Sequence, residues 1–267
     1  MRLIATDLDG TLLDSTSAVS PRTRAALDAA RARGIHVVPV TARQPIGLRA
    51  IAADAAFDDW ALCSNGAYAV HLTEGRMLFA EELPADTIRT LAEALRASIP
   101  GLLFASVREG GETFVAQQGY AEIADLSDHK RDPKTMGGVP LDQVVSAPSL
   151  KFVIRHPELA PAALYDTLRS LGLTGFEATL SGAPFVEVMA EGVTKATGLA
   201  RLCAHLGIDR ADVVAFGDAL NDVEMLRWAG RGVAMADAAP VVQDAADETT
   251  LSNDEDGVAR VIERLLG

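Results

Sequence analysis

The chain has 267 residues, 49% of them hydrophobic, enough to bury a substantial core as one long domain or two smaller ones. Acidic residues outnumber basic ones 37 to 24, a formal charge of -13, and this excess repels nucleic acid and anionic membrane surfaces; neither is expected as a partner. The acids are spread along the chain rather than blocked, which fits solubility better than a dedicated acidic patch.

Residues 3–6 are apolar and are followed by Asp7, Asp9 and Gly10, the pattern of a buried strand that ends in a polar loop. The strand lies so near the first residue that no signal peptide is expected. No apolar run reaches the ~18 residues of a membrane helix. Cys63 and Cys203 lack the paired spacing of a zinc or redox motif and read as buried free thiols, so a cytoplasmic location is expected. Ser20 before Pro21 predicts a capped helix that Gly34 stops. A second strand is expected over 35–40, a helix over 45–53, and a third strand over 61–63, ahead of Ser64-Asn65-Gly66.

The same rhythm returns late in the chain, with helices over 195–206, 221–229 and 257–266 and strands over 213–216 and 232–235. Alternation of this kind predicts a parallel sheet with helices on its faces, an α/β fold. Between the two stretches the rhythm breaks. Gly110-Gly111 reads as a hairpin turn; helices are expected over 84–97 and 157–171, strands over 102–107, 113–116, 150–155, 176–179 and 185–189, and a loop over 127–148. An α+β module inserted at residues 83–189 follows, which leaves 1–82 and 190–267 to the parallel core.

Four clusters can carry chemistry. Asp7 and Asp9 stand at a strand end, where open α/β sheets bind ligands, with Gly10 able to turn sharply behind them. Paired carboxylates bind hard cations and can divide the work of nucleophile and general acid, although a polar turn with an Asx hydrogen bond gives the same letters. An EF-hand is a poorer fit, because Leu12 and Ala18 occupy the places of its glycine and its final glutamate. Thr41, with the amides of Ala42 and Arg43, offers donors for a phosphoryl oxygen at a second strand end, or a plain helix cap. Lys195 opens a third helix and can present an ammonium to a phosphate. Asp218, Asn221 and Asp222 share one face of a helical turn and can point three oxygens one way, or simply complement the helix dipole. Singly each has an ordinary explanation; capping alone would not demand the four together.

The set Asp7-Leu8-Asp9-Gly10-Thr11, Thr41-Ala42-Arg43, Lys195 and Gly217-Asp218-Ala219-Leu220-Asn221-Asp222 resembles the four motifs of the haloacid dehalogenase-like hydrolases. Within them it is similar to the Cof-type phosphatases, as are Asn65-Gly66-Ala67, Gly192-Val193-Thr194-Lys195 and the run 252–258. That subfamily usually has glycine where Ala42 and Ala196 stand, and Gly-Asn in place of Ala236-Asp237. The resemblance implies a Rossmann-like parallel-sheet core with an inserted α+β cap domain, and magnesium-dependent hydrolysis of small phosphate monoesters. Asp7 would attack phosphorus, while Asp9 would protonate the leaving group and then activate water. Mg2+ would sit among Asp7, the backbone carbonyl of Asp9 and Asp218, with Asn221 and Asp222 in support. Thr41, Ala42, Lys195 and Asn221 would hold the phosphoryl oxygens and Thr11 would orient Asp9. Arg43, Asn65 and cap residues near 181–185 are candidates to touch the leaving group, none of them fixed by the sequence. The expected partner is a small phosphorylated metabolite, a sugar or cofactor phosphate, acted on by a monomer or small homo-oligomer. A phosphomannomutase-like transferase and a catalytically silent sugar-phosphate sensor are the alternatives.

Overall fold

The computed structural model describes residues 1–267, residue 50 by its backbone alone. Its strands, in chain order, are β1 Leu3–Thr6, β2 His36–Pro39, β3 Trp60–Cys63, β4 Tyr68–His71, β5 Met77–Ala80, β6 Leu103–Arg108, β7 Thr113–Ala116, β8 Lys151–Arg155, β9 Phe176–Thr179, β10 Val186–Ala190, β11 Val213–Gly217, β12 Arg231–Ala234 and β13 Glu248–Thr249. The chain forms two compact units. One holds Met1–Ala42, Leu48–Phe79 and Thr194–Gly267; the other holds Arg43–Gly47 and Ala80–Val193.

The first unit is built on a parallel sheet in the order β13-β12-β11-β1-β2, with Leu3 opposite both Val213 and His36. Every residue of β1 and β11 is buried, as expected of parallel strands covered on both faces. Successive side chains alternate between two cores. Ile4, Val37, Val214 and Phe216 pack with Leu27 of helix Pro21–Arg31 and Ile262 of helix Gly257–Leu266. Leu3, Ala5, Val38 and Ala215 pack with Leu199 and Leu202 of helix Lys195–Leu206 and Met225 of helix Val223–Trp228. Caps set the ends: the Ser20 hydroxyl accepts from Thr23 N–H at 3.0 Å, and Thr194 and Thr197 form a reciprocal capping box before Lys195. A small sheet, β3-β4-β5, adjoins through a bridge between Val40 and Leu62.

In the second unit an antiparallel sheet, β7-β6-β8-β10-β9, carries helices Ala85–Ser98 and Pro161–Ser170 on one face, where Phe104, Phe152 and Val186 meet Leu91 and Leu164. The second helix begins at Pro161 rather than 157, because a helix entered earlier would place that proline inside it and break an i→i−4 bond. The stretch read as a loop, 127–148, contains the end of helix Leu126–His129, the 3-10 turn Pro133–Thr135 and helix Leu141–Val144. Tyr120 and Met136 cover Val107 and Val153 on the other sheet face. Charges buried on that face are paired: Lys151 with Glu187 and Arg155 with Asp128, each at 2.5 Å. Beside them the Tyr120 hydroxyl bonds His129 Nε2 at 2.8 Å and the Phe185 ring stacks on His129. Among the described residues no helix is long and apolar enough to cross a membrane.

Candidate active site

The C-terminal ends of β1 and β11 lie side by side, and the loops that leave them bring Asp7 next to Asp218 and Asp222. One carboxylate oxygen of each lies within 4.8 Å of the others. Gly10 makes this possible: its φ of +82° turns the chain back, and a Cβ there would fall 2.4 Å from Asp218 Oδ2. The same turn decides what Thr11 does. Its hydroxyl donates to Asp218 Oδ1 at 2.6 Å, so Thr11 orients Asp218; the Asp9 side chain is exposed.

Lys195 enters from the start of its helix with a fully buried side chain. Its ammonium lies 2.8 Å from Asp7 Oδ1 and 2.7 Å from Asp222 Oδ1. Burial alone would pull the ammonium down, but Asp222 and Asp7 outweigh it and hold the group above its ordinary value. Asp222 Oδ2 accepts from the amides of Asp218 at 3.1 Å and Ala219 at 3.0 Å. Both of its oxygens are therefore engaged, which makes Asp222 a brace for Lys195 and the loop.

One ammonium does not neutralise three carboxylates. Burial, with Asp222 and Asp218 alongside, pushes Asp7 well above the usual range despite Lys195. Burial and then Asp222 push Asp218 up to about 6. Such a cluster of hard oxygens with uncompensated charge fits a divalent cation, which Asp7, Asp218 and Asp222 together could hold.

The remaining expected residues divide. Thr41 is buried at the end of β2; its N–H donates to the Leu62 carbonyl at 2.9 Å and its carbonyl accepts from Asn65 N–H at 3.0 Å. Its amide is thus spent in the fold. Asn221 Nδ2 donates to Asn65 Oδ1 at 3.0 Å, a link that no spacing announced. Asn65, expected at the leaving group, is 1% exposed, as buried as Lys195. Arg43 falls in the second unit and donates to the Gly47 carbonyl at 3.1 Å. The sequence reading also missed the Lys195–Asp222 pair. The only hint of the asparagine link was an asparagine in a Ser-Asn-Gly turn set directly behind a strand.

Residues 4–262 match the family described as haloacid dehalogenase-like hydrolase. The phosphatase YwpJ of Bacillus subtilis (strain 168) is 30% identical over 290 residues, covering 100% of both chains. The 5-amino-6-(5-phospho-D-ribitylamino)uracil phosphatase YcsE of the same organism is 28% identical over 264 residues, covering 98% of this chain and 94% of that one. Among solved structures, one of the phosphatases of the haloalkanoate superfamily from Bacteroides thetaiotaomicron is 27% identical, with a TM-score of 0.84 over 99% of this chain and 94% of its own.

Proposed function

The chain belongs to the haloacid dehalogenase-like hydrolases and is an enzyme, a phosphatase of that family; on that premise we propose that it hydrolyses small phosphate monoesters with magnesium, through an aspartyl-phosphate on Asp7. The observation that carries this reading is the buried Lys195 ammonium held between Asp7 and Asp222, with Asp218 completing an acidic group at the strand ends.

An Asp7 oxygen attacks phosphorus as the ester bond breaks, and the departing alkoxide takes its proton from Asp9. Asp9, now a carboxylate, takes a proton from water; the resulting hydroxide attacks the same phosphorus, releasing phosphate and restoring Asp7. Lys195, the Thr41 hydroxyl, the Ala42 amide and Asn221 orient the transferring oxygens, where most catalysis of phosphoryl transfer lies. Held by Asp7, Asp218 and the backbone carbonyl of Asp9, magnesium would supply the positive charge that lets an anionic nucleophile meet an anionic phosphate. Residues 1–82 and 190–267 form the catalytic domain in this scheme, and 83–189 the cap that sets substrate choice. The relative named for a phosphorylated ribitylamino compound supports a polyhydroxylated leaving group.

Turnover of an aryl phosphate by the purified protein, with and without Mg2+, tests the reading. Hydrolysis should stop on chelation and return with the metal; undiminished activity after exhaustive chelation removes the metal from the mechanism.

A further inference from the structure

The turn Ser64–Gly66 leaves β3 with three residues in succession at positive φ, 50°, 58° and 92°. It is held from several sides. Asn65 N–H donates to the Thr41 carbonyl at 3.0 Å, and Asn65 Oδ1 accepts from Asn221 Nδ2 at 3.0 Å. Behind it, helix Lys195–Leu206 approaches backbone to backbone. A Cβ on Gly66 would lie 2.4 Å from the Thr194 carbonyl oxygen, and one on Gly198 would lie 2.7 Å from the Gly66 carbonyl oxygen. The turn is thus wedged among the segments that carry Thr41, Lys195 and Asn221. The Asn221 Oδ1 atom is buried without a partner among the described residues, so the bond to Asn65 is what fixes its amide.

We propose that Asn65 is a positioning residue, which orients the Asn221 amide and ties it to the Thr41 segment without itself meeting the substrate. The proposal rests on the reading of Asn221 and Thr41 as phosphate ligands and deepens it. A residue working through Asn221 acts on the phosphoryl group common to all substrates, whereas a residue touching the leaving group acts differently on each.

The test is Asn65→Gly, which tolerates the left-handed backbone and deletes the amide. Loss of one orienting hydrogen bond should lower kcat/KM about tenfold, equally for an aryl phosphate and a sugar phosphate. In a double-mutant cycle, Asn65→Gly should add little to Asn221→Ala, and calorimetry should show both single variants weakening inorganic phosphate binding in parallel. Losses that differ between the two leaving groups, or that multiply in the double mutant, overturn the proposal. Should Asn65→Gly fail to fold, Asn65→Asp keeps the left-handed backbone and the acceptor at Oδ1, and whatever activity it loses must be lost equally for both substrates; a loss that differs between the two leaving groups overturns the proposal equally. Absence of hydrolysis by the unsubstituted protein would strike the underlying phosphatase reading instead, and the phosphate-binding arm would still read the coupling.

Discussion

Removing Lys195 would strand two buried carboxylates, because its ammonium is the shared partner of Asp7 and Asp222 and its side chain has no exposed surface. A lysine at a helix start looks replaceable in sequence, and nothing in residue spacing reveals that it is enclosed. We expect Lys195→Met to abolish most turnover and also to lower stability by about 3 kcal/mol at pH 7, the scale for breaking a buried ion pair. Urea unfolding without added metal measures this, and an unchanged midpoint would contradict the enclosure. The two carboxylates of the first cluster have separate fates. Asp7→Asn should leave a folded protein that forms no phospho-enzyme, while Asp9→Asn should still accept phosphate from an aryl ester and hydrolyse it slowly. Rapid quenching with mass spectrometry distinguishes them; a phospho-enzyme in Asp7→Asn would mean that another side chain is the nucleophile, and substantial turnover without one that water attacks phosphorus directly. The identities of these residues were legible because chemistry restricts them to few types at strand ends. Their mutual contacts were not, since Thr11–Asp218 and Asn65–Asn221 join positions far apart in the chain.

Among the elements, those with caps and strong periodicity were readable. Helix Lys195–Leu206 has the bounds read from the sequence, and Thr194 and Gly207 cap its two ends. Strands β4, β5 and β13 escaped notice: they are short, and β5 exposes Met77, so neither a buried run nor clean alternation marks them. The charged, proline- and glycine-bearing stretch 127–148 reads as loop, yet helix Leu126–His129, which runs into it, buries a histidine. Burial, followed by Lys151, Arg155 and Arg131, brings His129 down to about 2. An unfolded chain would bind that proton near the ordinary 6.5, so between these values the unfolded state holds more protons and stability rises with pH. Acidification below 6.5 should therefore destabilise the second unit, by at most about 1.4 kcal/mol per pH unit from this residue. Urea unfolding between about pH 4 and pH 7, which takes in the upper part of that interval, should show a shallower dependence for His129→Phe than for the unsubstituted protein. Equal slopes would mean that His129 is protonated in place.

At the scale of the whole molecule, parallel alternation gives way to hairpins along the sequence, and the chain forms two compact units. Which residues join each unit is harder to read, because Arg43–Gly47 clusters with the second unit from within the first stretch. Apart from that short piece, the second unit is one continuous run, whereas β1 must find β11, Leu3 lying opposite Val213. Contacts of such long separation form late, after more local ones have ordered. Pulse-labelled hydrogen exchange during refolding should then protect β6, β7 and β8 before β1 and β11; the opposite order would show that the parallel sheet assembles first. Asp7 precedes the inserted run, and Lys195, Asp218 and Asp222 follow it. Under the proposed mechanism, a polypeptide that still ends near residue 193 as it emerges from the ribosome has its carboxylate nucleophile without the ammonium or the acidic companions, and would not turn over a phosphate ester.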